Sequence, residues 1–301
     1  MFITRDRCPV CGSATRETLL ETKFTDPSVA SFLVTYYDGR IPLDALTDQS
    51  YRLDRCRNCA LIYQAHILTD AWMMRLYEEW IDAQASLDKR RSANSCYFAA
   101  LANEVAGIAK FAPGIPSSVR VLDIGMGWGH WARMAMAHGY ETHGYELSAR
   151  RSIHAASMGI RVLTNLDPRE AGAFDYIYCS QVLEHVADPG GMMDQMLALL
   201  RPGGVVDLHV PNQGLITTKL RRPDWTASHN AVHPLEHINC FSRTTLRYLA
   251  SERDMQLVAA PFPHRRTTGT FGIRDLGVYL YNRTLSTHVW LRRAQQPRQL
   301  S

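Results

Sequence analysis

Two tracts hold residues whose types and spacing point to chemistry. Cys8-Pro9-Val10-Cys11-Gly12 and Cys56-Arg57-Asn58-Cys59 form two Cys-x-x-Cys knuckles with 44 residues between them. Each knuckle can bring two thiolates to one metal ion, and two together complete a tetrahedral all-sulfur site, the geometry zinc favours. Gly12 permits the tight turn after the first knuckle. The gap exceeds ordinary ribbon spacing, so the intervening residues must form a hairpin or a subdomain. A redox Cys-x-x-Cys would want a strand–helix context of the thioredoxin kind, which neither pair shows. Cys96, Cys179 and Cys240 read as packed free thiols. The second tract is Val121-Leu122-Asp123-Ile124-Gly125-Met126-Gly127-Trp128-Gly129-His130. Gly125 and Gly127 permit a tight turn and close approach of backbone to a ligand. The glycines alternate and no Gly-Lys-Ser/Thr follows, so this is neither the usual dinucleotide fingerprint nor a phosphate-binding loop. An acid before the turn suits a ligand bearing an ammonium group. Glu146, at the end of the next strand, can accept from both hydroxyls of a ribose and disfavours a 2′-phosphate there.

These residues must be positioned by regular elements. From Val119 the chain alternates short apolar strands with helices: strands at 119–124, 140–147, 160–163, 174–179 and 204–210, and helices at 128–138 and 188–200. Ser148 is placed to cap a further helix, and Ser242 to cap one over 242–251, before a strand at 255–260. Such alternation implies right-handed crossovers and a parallel sheet with helices on both faces. Ahead of it, Trp72, Leu76 and Trp80 recur at helical spacing behind the candidate caps Thr69 and Asp70, and a second helix is expected over 95–111. The Pro- and Gly-bearing stretch 112–118 reads as a boundary. The division that follows is a zinc-binding module over 1–65, a helical linker or lid over 66–112, a ligand-binding α/β domain over 113–275 and a C-terminal extension over 276–301.

Composition excludes several classes. The chain has 301 residues, 46% hydrophobic and 21% charged, with a formal net charge of +4. Its basic runs, at 89–91, 221–222 and 292–293, are too short for the concentrated stripe of a nucleic-acid binder. No run of about 18 apolar residues marks a membrane span, and the charged start of the chain lacks the apolar core of a signal peptide. A cytoplasmic location is expected, where thiols stay reduced and paired cysteines read as metal ligands.

The glycine tract with Glu146 resembles class I S-adenosylmethionine-dependent methyltransferases, and the likeness continues. Phe174–Val186, with Gln181-Val182-Leu183-Glu184-His185-Val186 at its end, is similar to the family's fourth strand and following loop. Leu200-Arg201-Pro202-Gly203-Gly204 is similar to its turn before the fifth strand. Together these cover about 119–260 in the family's order. The resemblance implies a Rossmann-like seven-stranded α/β sheet whose last strand is antiparallel, joined here to a zinc-ribbon-like module. It implies S-adenosylmethionine as cofactor, with Asp123, Gly125 and Gly127 at its methionine end, Glu146 at the ribose, Leu166 and Asp167 near the adenine, and Gln181 beside the sulfonium. Structural zinc would sit on Cys8, Cys11, Cys56 and Cys59.

A cysteine module before such a domain resembles zinc-containing methyltransferases that act on sugar nucleotides or natural-product intermediates. His233-Pro234-Leu235-Glu236-His237-Ile238-Asn239-Cys240-Phe241-Ser242 adds to that likeness, because a Glu-His pair here serves the catalytic site of the sugar C-methyltransferases in that group. Those enzymes carry a further C-terminal α/β domain that this sequence does not show. The implied function is C- or O-methylation of a small-molecule acceptor. His237 is the first candidate base, His185 the second, and Glu236 a group that could orient an imidazole. Tyr77 and Trp80 could belong to a lid or to the core. The alternatives are a catalytically inactive binding subunit and a nucleic-acid methyltransferase. Retention of Asp123, Glu146 and the glycine turn speaks against the first. Ser180-Gln181-Val182-Leu183 stands where a base amino-methylating enzyme would carry an Asn/Asp-Pro-Pro-Tyr motif, which speaks against the second.

Overall fold

The computed structural model describes residues 1–166, 171–259, 281 and 284–293. The described chain forms two compact units that interleave along the sequence. One comprises 1–92, 183–190 and 210–246; the other comprises 93–182, 191–209 and 247–301.

The first unit begins with β1 (Phe2–Thr4) and β2 (Arg16–Lys23), followed by α1 (Pro27–Tyr36). β3 (Ser50–Cys56), β4 (Ile62–Gln64), β5 (His66–Leu68), α2 (Asp70–Arg75) and α3 (Ala83–Arg91) follow. β2 and β3 pair antiparallel, so the stretch between the knuckles is a hairpin with α1 inserted at its tip. Local chemistry starts α1 where it does. Asp26 accepts from Ser28 N–H at 2.9 Å, and Pro27 occupies the first helical position, where no amide donor is needed. One helical turn apart, Val29 and Leu33 are buried with Phe24, Leu46, Leu53 and Ile62 in the core of this unit. After α2 the chain winds into one π-helical turn, Leu76–Trp80, which buries Leu76 and Trp80 and carries Tyr77.

Between these stretches of the first unit run α4 (Ser95–Ala106), β6 (Arg120–Ile124), α5 (His130–Ala137), β7 (Glu141–Tyr145), α6 (Ala149–Ser157) and β8 (Arg161–Leu163). Then come β9 (Phe174–Ser180), α7 (Pro189–Leu199) and β10 (Leu200–His209). The chain returns to the first unit with α8 (Ile216–Leu220) and β11 (Asn239–Cys240), and ends with α9 (Arg243–Ser251), β12 (Met255–Val258) and β13 (His288–Arg293). β11 adds to the edge of β4, giving a four-stranded sheet in the order β11-β4-β3-β2. Residues 176 positions apart in the chain thereby become neighbours: Asn239 pairs with Tyr63, and buried Gln64 donates through Nε2 to the carbonyls of His233 and His237 at 3.1 and 3.0 Å.

The second unit is built on a seven-stranded sheet in the order β12-β13-β10-β9-β6-β7-β8. β13 runs antiparallel to both its neighbours, whereas the pairs β10–β9, β9–β6, β6–β7 and β7–β8 are parallel. This is the Rossmann-like α/β sheet with one reversed strand. The reversed strand comes from the stretch read in sequence as a C-terminal extension; its Val289 and Leu291 are buried. Its core joins Leu101 and Val105 of α4 to Val121, Trp131, Tyr176, Val205 and Trp290. Two helix starts differ in detail. Ser242 caps α9, accepting from Thr245 N–H at 3.1 Å. Ser148 stands at the cap position of α6 but makes no side-chain cap, while its N–H donates to the Glu146 carboxylate at 2.9 Å. Among the described residues no helix is long and apolar enough to cross a membrane.

Candidate functional site

The glycine turn sits at the carboxyl end of β6, in the second unit. Gly125, Gly127 and Gly129 have φ of 67°, 55° and 76°, the left-handed region that side chains resist. Gly125 is the most constrained, since a Cβ there would lie 2.4 Å from Val182 Cγ2. The amides of Gly125 and Met126 both donate to the carbonyl of Tyr145, at 2.8 and 3.2 Å, which ties the turn to the end of β7. Glu146 closes it, accepting from Gly127 N–H through Oε2 at 2.9 Å. Each carboxylate oxygen of Glu146 has one backbone donor and room for a second, as two ribose hydroxyls would require. Asp123 is 3% exposed, and its Oδ2 has no hydrogen-bond partner among the described residues. Burial raises its pKa well above the carboxylate range, the Ala132 amide opposes this, and the charges of Glu146 and Glu104 add to it. An ammonium group would satisfy such a carboxylate. Gln181 lies exposed at the end of β9 with φ 57°, its N–H donating to His209 at 2.8 Å. Leu166 is half-buried, and Asp167 lies outside the described residues.

In the first unit the four knuckle cysteines converge. Cys8 Sγ and Cys59 Sγ are 3.5 Å apart and Cys11 Sγ and Cys56 Sγ 3.4 Å, with all four sulfurs within 4.8 Å of one another. These are not bonded disulfide distances. Four sulfurs held tetrahedrally at the usual Zn–S length of about 2.3 Å would lie roughly 3.8 Å apart, so the donor set fits that ion. The hydrogen bond from Cys59 holds the Cys8 thiol down at about 5, against the opposing effect of burial. Backbone turns shape the knuckles: Gly12 N–H donates to Cys8 O at 2.9 Å and Ala60 N–H to Cys56 O at 3.1 Å.

The same unit gathers a cluster of histidines. Leu183–His185 forms a single 3-10 turn. Asn239 of β11 clamps it, donating to the carbonyls of Leu183 and Val186 at 3.0 and 2.7 Å. His185 Nδ1 lies 3.0 Å from the carbonyl of Glu236 and 3.0 Å from Tyr77 Oη, and His237 Nδ1 lies 2.6 Å from the carbonyl of Asn230. A carbonyl only accepts, so each Nδ1 carries the proton and each Nε2 keeps its lone pair. The two rings are 4.9 Å apart at 75°, and His233 stands 4.2 Å from His237. Burial lowers the pKa of His185 to about 4 and that of His237 to about 2, with the neighbouring imidazoles adding to the effect. Both rings are therefore neutral at pH 7, with pKa values below the near-neutral range that suits a general base. Glu184 is fully buried, and burial pushes its carboxyl up to about 8.

The Glu236 carboxylate does not orient His237. It accepts from Tyr37 Oη at 2.8 Å and lies 3.4 Å from His233 Nε2, so it serves the far side of the cluster. Its burial raises the pKa, but His233, His185 and Tyr37 together bring it below the ordinary value. Sequence reasoning left out Glu184, His233, Asn230 and Tyr37 as members of this cluster. One signal was available: His229, His233 and His237 recur every four residues.

A family model described as a methyltransferase domain matches residues 93–260, more than half of the chain. The chain belongs to this S-adenosylmethionine-dependent methyltransferase family. Among curated methyltransferases it is similar to a ubiquinone biosynthesis O-methyltransferase of Xanthomonas axonopodis, 30% identical over 108 residues, covering 33% of this chain and 45% of that protein. A protein of the same name from Burkholderia ambifaria is 31% identical over 106 residues, covering 32% and 46%. The match thus spans less than half the length of these relatives. Among solved methyltransferase structures, a putative sarcosine dimethylglycine methyltransferase from Galdieria sulphuraria shares 18% identity with a TM-score of 0.41, covering 56% of this chain and 62% of that one.

Proposed function

We propose that this methyltransferase moves the methyl group of S-adenosylmethionine to a hydroxyl, or an activated carbon, of a small-molecule acceptor. The observation that carries the reading is the turn Asp123-Ile124-Gly125-Met126-Gly127 at a β6 strand end, with a buried unpartnered carboxylate oxygen on one side and Glu146 on the other. Asp123, Gly125 and Gly127 would take the methionine end, Glu146 the ribose, Leu166 and Asp167 the adenine edge, and Gln181 the sulfonium side. The cofactor brings a methyl already activated by positive sulfur. The protein's work is alignment, exclusion of water and removal of the acceptor's proton. For that proton His237 is the first candidate and His185 the second, each offering an Nε2 lone pair held ready by a carbonyl on Nδ1.

The relatives' name favours a hydroxyl acceptor, whereas the tract around Glu236-His237 favours a sugar nucleotide or a natural-product intermediate. A cavity of about 250 Å³ is lined by Lys219, Arg222, Asp224, Trp225, Ser228 and Asn230, with Arg222 paired to Asp224 at 3.0 Å, a mixed lining that suits a polar acceptor. The four cysteines would hold zinc as a structural ion: with four thiolates it has no open position for substrate.

Formation of S-adenosylhomocysteine with sugar nucleotides and with phenolic acceptors tests the reading. His237→Ala should bind S-adenosylmethionine as the parent does, while turnover falls by ~10²–10⁴-fold, the range for loss of a general base. Turnover lost only in His185→Ala would move the base to His185. Cofactor that binds equally well when Asp123 and Glu146 are both replaced by alanine would overturn the assignment of the turn.

A further inference from the structure

We propose that Glu184, His185 and His237 form a binding site for a divalent transition-metal ion, distinct from the four-cysteine cluster. The three side chains offer one oxygen and two nitrogen donors, all within 4.8 Å of one another. Donors on one ion at about 2.1 Å lie roughly 3–4 Å apart, so small side-chain rotations close the set. Glu184 Oε1 is already 3.9 Å from His185 Nε2.

Three further observations point to an ion rather than to accidental proximity. Glu184 is 0% exposed, and neither of its carboxylate oxygens has a hydrogen-bond partner among the described residues. A buried carboxylate left so is costly, and a cation is one of the few partners that restores what water supplied. Both imidazoles have the outer hydrogen bond that metal-bound histidines usually have, with Nδ1 donating to a backbone carbonyl and Nε2 left with its lone pair. The turn bearing two of the ligands is itself held, since Asn239 fixes the carbonyls on either side of Glu184-His185. Three protein donors leave positions open, as a catalytic site needs and the four-cysteine site does not allow.

This inference rests on the reading that the cluster handles the acceptor's proton, with the ion in place of a histidine base, since an imidazole nitrogen bound to metal has no lone pair for a proton. An acceptor hydroxyl bound to such an ion would be more acidic. It would give its proton to solvent. Its oxygen then forms the new bond to the methyl carbon as the sulfur–methyl bond breaks and that electron pair stays on sulfur, leaving S-adenosylhomocysteine. Two histidines and a carboxylate suit zinc or manganese, and manganese also avoids thiolate sites, so it reports this cluster alone.

The test is manganese binding to the full chain, followed by electron paramagnetic resonance, with the cysteine site loaded with zinc beforehand. One manganese per chain is expected. Glu184→Gln and His237→Asn should each weaken it by at least tenfold, while circular dichroism and S-adenosylmethionine affinity stay as in the parent. Because Glu184→Gln keeps the side chain's shape, it guards against loss of fold in the histidine variant. Manganese that binds the parent and Glu184→Gln alike, or neither, overturns the proposal; the buried acid is then simply protonated. Chelation separates the two readings. If parent protein stripped of this ion still turns over while His237→Ala does not, the base reading stands and the metal falls. If manganese binds as expected but no acceptor is methylated, the metal site stands and the acceptor reading falls.

Discussion

The glycine turn and the histidine cluster are built in opposite ways. The turn is local: Asp123 to Gly129 are consecutive, and the one distant partner, Glu146, arrives on the next strand of the sheet. The cluster is assembled from segments far apart in the chain, namely the turn at 183–185, the π-helical turn at 76–80, and the loop 229–237 that leads into β11. What positions the first is backbone conformation that only glycine adopts easily. What positions the second is long-range hydrogen bonds donated by Gln64 and Asn239, with the Asn230 carbonyl holding His237 locally. A site of the first kind should fail by strain at one residue. A site of the second kind should degrade in steps, because each contact is one among several.

The four-cysteine cluster lies between these extremes, with two local knuckles joined across a hairpin, and the largest effect is expected there. Cys56→Ser with Cys59→Ser should abolish the zinc that survives chelator dialysis. Binding energy of a structural zinc is folding energy, on the order of 10 kcal/mol in small zinc modules. Calorimetric melting should therefore lose the transition of the first unit while the second still melts near its original temperature. Zinc retained by the double variant would remove these cysteines as its ligands. Exposed Cys96, changed to serine, is the control and should alter neither reading.

The next largest effect tests the local end of the comparison. Gly125→Ala places a Cβ 2.4 Å from Val182 Cγ2 at a φ of 67°. Strained backbone of this kind typically costs roughly 1–3 kcal/mol before any clash is counted, so S-adenosylmethionine affinity by titration calorimetry should fall about a hundredfold. Gly172→Ala isolates the φ contribution, since Gly172 has the same φ and nothing within 4 Å of the added atom. It should leave cofactor affinity unchanged and lower stability slightly. Equal affinity in parent and Gly125→Ala would show that the turn tolerates displacement and does not cradle the cofactor.

Glu146→Ala is expected to be milder. A hydrogen bond to a charged group contributes about 1.5–3 kcal/mol, or roughly ten- to a hundredfold in affinity. Glu146 also satisfies the amides of Gly127 and Ser148, so Glu146→Gln, which keeps an acceptor, should recover part of the loss. Undiminished affinity in Glu146→Ala would end the ribose assignment.

The same contrast explains what the sequence could tell. Periodicity and turn residues are local, and they located the strands at 119–124, 140–147 and 174–179, the glycine turn and both knuckles. The spacing of the knuckles left a hairpin or a subdomain open between them, and pairing of β2 with β3 makes it a hairpin. The antiparallel strand His288–Arg293 escaped because six residues inserted between β10 and β12 announce themselves only through pairing. The partition into units was equally hidden. Segments 183–190 and 210–246 join residues 1–92 through β11 on β4, a contact no window of sequence contains. In the cluster, the spacing showed Glu236 beside His237 and suggested a pair. The two side chains take different partners: the carboxylate meets Tyr37 and His233, whereas the His237 ring meets the carbonyl of Asn230.

The smallest predicted effect tests whether the assembled site really is redundant. His185 Nδ1 has one proton and two acceptor oxygens at 3.0 Å, Tyr77 Oη and the carbonyl of Glu236. A single N–H cannot serve both at full strength. Removing the phenol oxygen by Tyr77→Phe leaves the carbonyl in place, the tautomer unchanged and Nε2 still presented. A typical neutral hydrogen bond contributes about 0.5–1.5 kcal/mol, and here most of that is recovered from the remaining acceptor. Manganese affinity and turnover in Tyr77→Phe should therefore stay within about threefold of the parent, less than RT ln 10. A loss of more than tenfold in either would mean that Tyr77 holds the imidazole alone, and that the cluster is as brittle as the glycine turn. A loss in turnover with metal affinity intact would place the phenol oxygen against the acceptor. Distributed support predicts neither, because the Glu236 carbonyl still holds the ring and the Asn239 side chain still holds the turn that carries it.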